Sequence, residues 1–243
     1  MEPLEYDRMH AVEDRMWWYR AVHANMLDAL RRFPPPPGTA LLDAGCGTGG
    51  LLRHLAAQGN GRLQVGIDIL ERAAVMAREK SGSPVAVASA DRLPFGDESL
   101  GTILSVDVIC HRAVEPARAL AEARRCLVTG GSLIINVPAY QWLASFHDRQ
   151  VHNARRFERA GLKALLRAAG FARIRMTYWN SLLFPAMVLR RKVLAVRSEH
   201  SDVEDFSGAA DKVFGMIMAV ERTGLRLGMR YPFGGSLLAV ATK

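Results

Sequence analysis

The sequence predicts an α/β fold: a doubly wound, mostly parallel sheet with a helical segment before it and a helical insertion ahead of its last strand. Three observations carry that expectation. From Leu41 onward, short apolar runs alternate with helical patterns, and several of the runs close on an acid. The first run, Leu41-Leu42-Asp43-Ala44, breaks into Gly45, Gly47 and Gly49 just where a helical pattern resumes, which reads as strand, tight loop, helix. At 243 residues and 49% apolar composition, the chain is long enough to bury one large core.

Composition narrows the function classes. Cys46, Cys110 and Cys126 lie far apart with no C-x-x-C spacing, so neither a disulfide framework nor a metal site is expected and a reducing cytoplasm fits. The acidic start, Met1 to Asp7, has no apolar core and does not read as a signal peptide. Ser181 to Leu189, the longest apolar stretch, is too short to span a bilayer. Net charge is +8, yet between Arg149 and Arg197 twelve Lys or Arg residues face one acid, Glu158. The basic character belongs to one region, which reads either as a solvated face or as a surface for an anionic partner.

Taken in order, Tyr6 to Phe33 reads as one or two helices carrying Trp17-Trp18-Tyr19, closed by the breaker Pro34 to Gly38. Residues 1–37 are therefore expected to be a helical lid on a domain spanning 38–243. The glycine loop that follows suits a nucleotide, because bare backbone and the free N–H groups of a helix N-terminus face the ligand. It also satisfies G-x-G-x-x-G through Gly45, Gly47 and Gly50, so the loop alone leaves a dinucleotide open. Asp43 argues the other way: an acid just before the loop suits a ligand bearing an ammonium or sulfonium charge. The second strand, Leu63 to Asp68, ends on an acid placed beside the loop, where two oxygens can accept from ribose hydroxyls.

The string Leu42-Asp43-Ala44-Gly45-Cys46-Gly47-Thr48-Gly49 resembles the first motif of class I S-adenosylmethionine-dependent methyltransferases. Further motifs follow in order. After the strand Val85 to Ser89 comes Asp91-Arg92-Leu93-Pro94-Phe95, similar to the ubiquinone/menaquinone-biosynthesis-like (type 11) branch, although Leu100-Gly101 stands where that pattern has Phe-Asp. Strand four, Thr102 to Val106, runs into Asp107-Val108-Ile109-Cys110-His111, and a helix from Glu115 to Leu127 leads through Thr129-Gly130-Gly131 to strand five, Ser132 to Val137. The resemblance implies a seven-stranded Rossmann-like sheet whose last strand runs antiparallel beside strand five. It also implies S-adenosyl-L-methionine as cofactor, with S-adenosyl-L-homocysteine as product. In that reading Asp91 accepts from the adenine amine and Leu93 covers a ring face; Asp43, Gly45, Cys46, Gly47, Gly49, Asp68, Ile69, Arg92 and Val106 complete the cofactor site.

Beyond Val137 the chain becomes individual. The connection Pro138 to Phe157 gathers aromatics, two histidines, an acid and an arginine pair where strand five ends, a position that lines the crevice of such sheets. Tyr140, Trp142, Arg155 and Arg156 are the expected substrate contacts, the arginines holding an anionic head through forked hydrogen bonds. His111, His147 and His152 are the candidate bases, because imidazoles titrate near neutral pH. No metal is expected from His147, Asp148 and His152, whose spacing makes a poor helical face. A helix Leu162 to Ala169, a sixth strand Ile174 to Tyr178, apolar and helical segments within 180–235 and a last strand Ser236 to Thr242 complete the pattern; 138–160 and 180–235 are expected to form the substrate side.

The expected function is methyl transfer to a small molecule with an anionic head and apolar body, of prenyl, lipid-linked, quinone or polyketide type. DNA is not an expected partner, and the basic segment carries no recognisable RNA-binding motif. Arg190, Arg191 and Lys192 suit peripheral contact with the inner membrane face, and the chain is expected to be a monomer or homodimer. Two alternatives remain: an NAD(P)-dependent oxidoreductase using the same glycines and Asp68, and an RNA-directed methyltransferase or binding module.

Overall fold

The computed structural model describes residues 3–58, 61–194 and 208–243. Two N-terminal helices, α1 (Pro3–Val12) and α2 (Trp17–Arg32), precede an alternating series: β1 (Ala40–Ala44), α3 (Gly50–Ala56), β2 (Gln64–Asp68), α4 (Glu71–Ser81), β3 (Val85–Val87), β4 (Leu100–Val106), α5 (Pro116–Cys126) and β5 (Leu127–Pro138). A short helix α6 (Phe146–Gln150) and α7 (Arg159–Ala168) lead to β6 (Arg173–Trp179); α8 (Phe184–Leu189) and α9 (Gly208–Arg226) precede β7 (Ser236–Thr242). The seven strands lie in the order β3-β2-β1-β4-β5-β7-β6. Only β7 runs against its neighbours, pairing antiparallel with β5 and β6, while the pairs among β1 to β5 are parallel.

Side chains alternate across the sheet, and each face has its own core. Leu42, Ile67, Ile103, Leu133 and Ile135 meet α5 and α7 on one face; Leu41, Leu104, Ile134, Leu238 and Val240 meet α2, α3, α4 and α9 on the other. In α2 the buried residues Val22, Met26 and Leu30 recur every fourth position, which gives this helix a stripe to lay on the sheet. Helix α9 packs chiefly beside α2 on that face: Asp28 of α2 accepts from Arg222 and Arg226 at 2.6–3.0 Å, and Asp211 takes the Trp17 amide and the Arg20 guanidinium. The segment before the proline run is thus part of a helical layer, with only α1 and the start of α2 standing over the strand ends.

Local chemistry sets the element boundaries. Pro116 sits in the first turn of α5, where its missing N–H is not needed. Gly82 ends α4 at φ +69 and Gly170 follows α7 at φ +89, the left-handed geometry that stops helices. The Thr129-Gly130-Gly131 turn is absorbed into β5, which begins already at Leu127. Here two glycines let backbones close: a Cβ on Gly131 would lie 2.9 Å from the Gly101 carbonyl oxygen. The strand order reverses between β1 and β4, and the carboxyl ends of β1, β2 and β4 open there into a crevice, the usual ligand position of such sheets.

Candidate functional site

A cavity of about 470 Å³ fills this crevice. Its floor is the β1–α3 loop, in which Gly45, Gly47 and Gly49 hold φ of +80, +54 and +93, conformations glycine adopts without steric cost. Each glycine also answers a close approach. A Cβ on Gly45 would fall 2.3 Å from Val108 Cγ2, one on Gly49 2.7 Å from Ala77 Cα, and one on Gly47 2.8 Å from Met9 Cε of α1. Gly45 and Cys46 both donate backbone N–H to the Ile67 carbonyl, tying the loop to β2.

Asp68, buried at the end of β2, accepts from Gly47 N at 3.0 Å, Leu70 N at 3.0 Å and, at 3.4 Å, the Tyr6 hydroxyl of α1. Burial raises its pKa while those N–H donors hold it down. The Ile69 backbone N–H adds to these donors, so the long Tyr6 bond marks the place that a ligand hydroxyl would take. Asp43 is nearly inaccessible, and among the described residues its Oδ2 has no hydrogen-bond partner. Burial, then the negative charges of Glu13 and Asp68, pushes it up to about 8.

The N-terminus of α3 is already filled. Glu13, from the turn between α1 and α2, accepts from Gly50 N at 3.2 Å, from the Thr48 hydroxyl and from Lys80 Nζ. The chain's own carboxylate occupies the place where a dinucleotide-binding loop seats pyrophosphate. A second anion there would meet Glu13, Asp43 and Asp68 together. This arrangement disfavours NAD and fits a ligand with a cationic centre and a ribose.

Other expected cofactor residues divide. Cys46, Ile69 and Val106 line the cavity. Asp91 stands beside it, its Oδ1 accepting from Ser89 Oγ at 2.6 Å, and Ala88, Ser89 and Ala90 form the adjoining wall. Leu93 lies outside the cavity lining and turns into the core at 5% exposure, its amide donating to Glu122 Oε2. Arg92 is exposed and lies outside the cavity lining.

A second cavity of about 250 Å³ adjoins the first, and Trp18, Tyr19, Asp107 and Asn153 line both. Its further walls include Leu183, Met187 and Phe214, with Arg190 and Arg191 also in the lining. Several expected substrate residues are elsewhere. Tyr140 stacks on Tyr178 at 5.3 Å and Trp142 packs edge-on against Phe184, in an aromatic cluster that neither cavity reaches. Arg155 donates to the Ile109 and Val114 carbonyls. Arg156 does line the second cavity, but it is 5% exposed and grips Asp148 with Nε and Nη2 at 3.0 and 2.9 Å. The expected anion-holding pair is thus engaged within the fold, since buried guanidinium groups need acceptors.

Of the candidate bases, His111 and His152 line the first cavity with rings 5.8 Å apart, while the side chains of His147 and Phe146 lie outside the described residues. Burial, reinforced by neighbouring positive charge, pushes His111 down to about 4, leaving a neutral but weak base. No group of three or more His, Cys, Asp or Glu side chains able to hold a metal occurs among the described residues. None of their helices is long and apolar enough to cross a membrane. Glu13 and Asp107 gained no role from the sequence. An acid at the end of β4 was the available signal for Asp107, whereas nothing local marks Glu13.

Residues 42–135 match the family model described as a methyltransferase domain, Methyltransf_11. The chain is 34% identical over 151 residues to an uncharacterised 37.1 kDa protein of transposon TN4556 from Streptomyces fradiae, covering 59% of this chain and 41% of that protein. It is 32% identical over 153 residues to the human probable tRNA methyltransferase 9B, covering 60% and 32% respectively. The chain therefore spans less than half the length of these two relatives. Among solved structures, a Thermotoga maritima S-adenosylmethionine-dependent methyltransferase, a possible histamine N-methyltransferase, superimposes with a TM-score of 0.59 at 25% identity, over 98% of this chain and 94% of that one.

Proposed function

We infer, for a chain whose residues 42–135 are a type 11 domain of the class I S-adenosylmethionine-dependent methyltransferases, that it methylates a small molecule seated in the second cavity. The observation that carries this reading is the junction of two cavities: one lined by Asp43, Gly47 and Asp68, the other largely apolar, meeting at Trp18, Tyr19, Asp107 and Asn153. When bound, S-adenosylmethionine supplies a methyl group on a positively charged sulfur. Asp68 is the acceptor for its ribose hydroxyls, Asp43 the carboxylate that answers its positive charge, and Asp91 stands where the adenine amine would be read. Gly47 leaves the space a side chain would fill. Holding donor and acceptor in line removes most of the entropic barrier to displacement, and Trp18, Tyr19 and α1 keep water from the junction.

The acceptor's apolar body packs against Leu183, Met187 and Phe214, and an anionic end of the same molecule meets Arg190 and Arg191 in place of the Arg155–Arg156 pair expected from sequence. Calorimetry tests the reading first: S-adenosylhomocysteine binds and NAD does not. Asp68→Ala weakens binding by about 1.5–3 kcal/mol, the worth of hydrogen bonds to a charged group. A panel of prenyl, quinone and polyketide compounds, together with bulk tRNA, then tests the acceptor. NAD binding without S-adenosylhomocysteine binding overturns the cofactor assignment, and methylation of tRNA alone overturns the small-molecule assignment.

A further inference from the structure

Asp107 follows β4 with a left-handed backbone, φ +53, a conformation that Asp and Asn tolerate better than most residues. Its amide donates to the Asn136 carbonyl at 2.9 Å, and its Oδ1 accepts from Asn136 Nδ2 at 2.8 Å. Asn136 has no choice of orientation: its Oδ1 accepts from Trp179 Nε1 at 2.7 Å, an indole that can only donate, so the amide nitrogen must face Asp107. The relay from Trp179 through Asn136 therefore fixes one oxygen of Asp107. No group among the described residues hydrogen-bonds the other, Oδ2, and the residue lines both cavities.

The carboxylate lies among aromatic faces at the junction, while the guanidinium groups of Arg156, Arg190 and Arg191 also line the second cavity. Trp18 and Tyr19 share the junction, and Trp17 and Phe214 stand further along the second cavity. Tyr19 feels the negative charge of Asp107, which adds to the rise in its own pKa. On the other side Arg156 and Asp148 act on Asp107 with opposite sign, but they pair with each other. Cys110 directs its Sγ hydrogen to the Asp107 backbone carbonyl or Asn153 Oδ1, not to the carboxylate. A desolvated carboxylate among aromatic faces is a cation site.

We propose that Asp107 is the carboxylate that receives the methyl acceptor: Oδ2 binds the amine of an apolar, amine-bearing acceptor and takes its proton. This rests on the methyltransferase reading above and names the acceptor's reactive group. An amine is protonated in water and cannot attack until it loses that proton. Here the N–H bond breaks and an O–H bond forms on Asp107, converting an ion pair into a neutral amine and a neutral acid. Removal from water favours both neutral forms, and burial accordingly pushes Asp107 up to about 7. The freed lone pair is what a bound S-adenosylmethionine would methylate: nitrogen would gain the methyl group and the positive charge, and sulfur would keep the carbon–sulfur electron pair. His111, held near 4, is too weak a base to compete for the proton.

The test uses the protein saturated with S-adenosylhomocysteine and two probes of nearly one shape, 2-phenylethylamine and 2-phenylethanol, followed by calorimetry and by the fluorescence of Trp17 and Trp18. Wild-type protein binds the amine at least tenfold more tightly than the alcohol. Asp107→Asn keeps the bond from Asn136 and the left-handed backbone; it binds S-adenosylhomocysteine as before, loses at least tenfold in amine affinity and leaves the alcohol unchanged. Equal affinity of wild-type protein for the two probes overturns the proposal without any variant, as does undiminished amine binding by Asp107→Asn. A protein that binds S-adenosylhomocysteine and not the amine refutes it too, whereas failure to bind S-adenosylhomocysteine at all overturns the cofactor reading beneath it.

Discussion

Binding of S-adenosylmethionine should release a proton from Asp43, and its affinity should climb steeply with pH below 8. The unliganded carboxyl titrates near 8 because burial and the charges of Glu13 and Asp68 oppose ionisation. At pH 6 roughly 1% of Asp43 is ionised and at pH 7.5 about a quarter, taking 8 as the midpoint. If the cofactor's positive charge requires the anion, affinity rises about 25-fold over that interval, or about 2 kcal/mol at 1.36 kcal/mol per tenfold. At pH 7 about 0.9 proton leaves per cofactor bound, which calorimetry reads by repeating the titration in buffers of different ionisation heat. In Asp43→Asn the affinity should stay near the wild-type value at pH 6 and lose most of its slope. The same shift has the opposite sign for folding. A carboxyl whose folded pKa lies above its unfolded 3.8 favours the fold at acid pH and loses that contribution as pH rises through 8, so the unliganded protein should lose stability over pH 6 to 8 while its cofactor affinity grows. An equal slope in wild-type protein and Asp43→Asn would refute the reasoning.

Three further outcomes follow from geometry. Glu13→Ala strips the nearest acceptor from Lys80, a side chain 9% exposed that keeps the His10 carbonyl at 3.4 Å and Asp14 at 3.6 Å, and uncaps α3; a loss of about 1–3 kcal/mol, the cost of leaving buried polar groups short of partners, should appear in denaturant titration together with weaker S-adenosylhomocysteine binding. Arg156→Ala leaves Asp148 buried without its bidentate partner and should lower the melting temperature rather than merely raise KM; unchanged melting would show that the pair is dispensable to the fold. Gly49→Ala places a Cβ 2.7 Å from Ala77 Cα at φ +93, costing about 1–3 kcal/mol of backbone strain and packing, measurable as a melting shift even where cofactor affinity, corrected for unfolding, is retained.

The succession of strands along the chain and the glycine loop were legible from Leu41 to Val137 because both depend on local signals, whereas the sheet arrangement was implied only by the family resemblance. Alternating apolar runs set the strands, acids mark the ends of β1 and β2, and glycines stand at the three positive φ values of the loop. Charge and residue type also nominated Arg155 and Arg156, but they could not say what those side chains meet. The fold engages Arg156 with Asp148 from α6 and Arg155 with the carbonyls of Ile109 and Val114, and it turns Leu93 into the core. Glu13 lies 37 positions before Gly50, whose amide it accepts, and Asp107 lies 29 before Asn136; no periodicity or spacing rule connects such pairs. The chemical menu of the site belongs to the sequence, since residue type sets which groups can carry charge, turn sharply or stack. Which of them face the crevice was decided only in three dimensions, where most buried polar groups found partners and those partners came from distant segments.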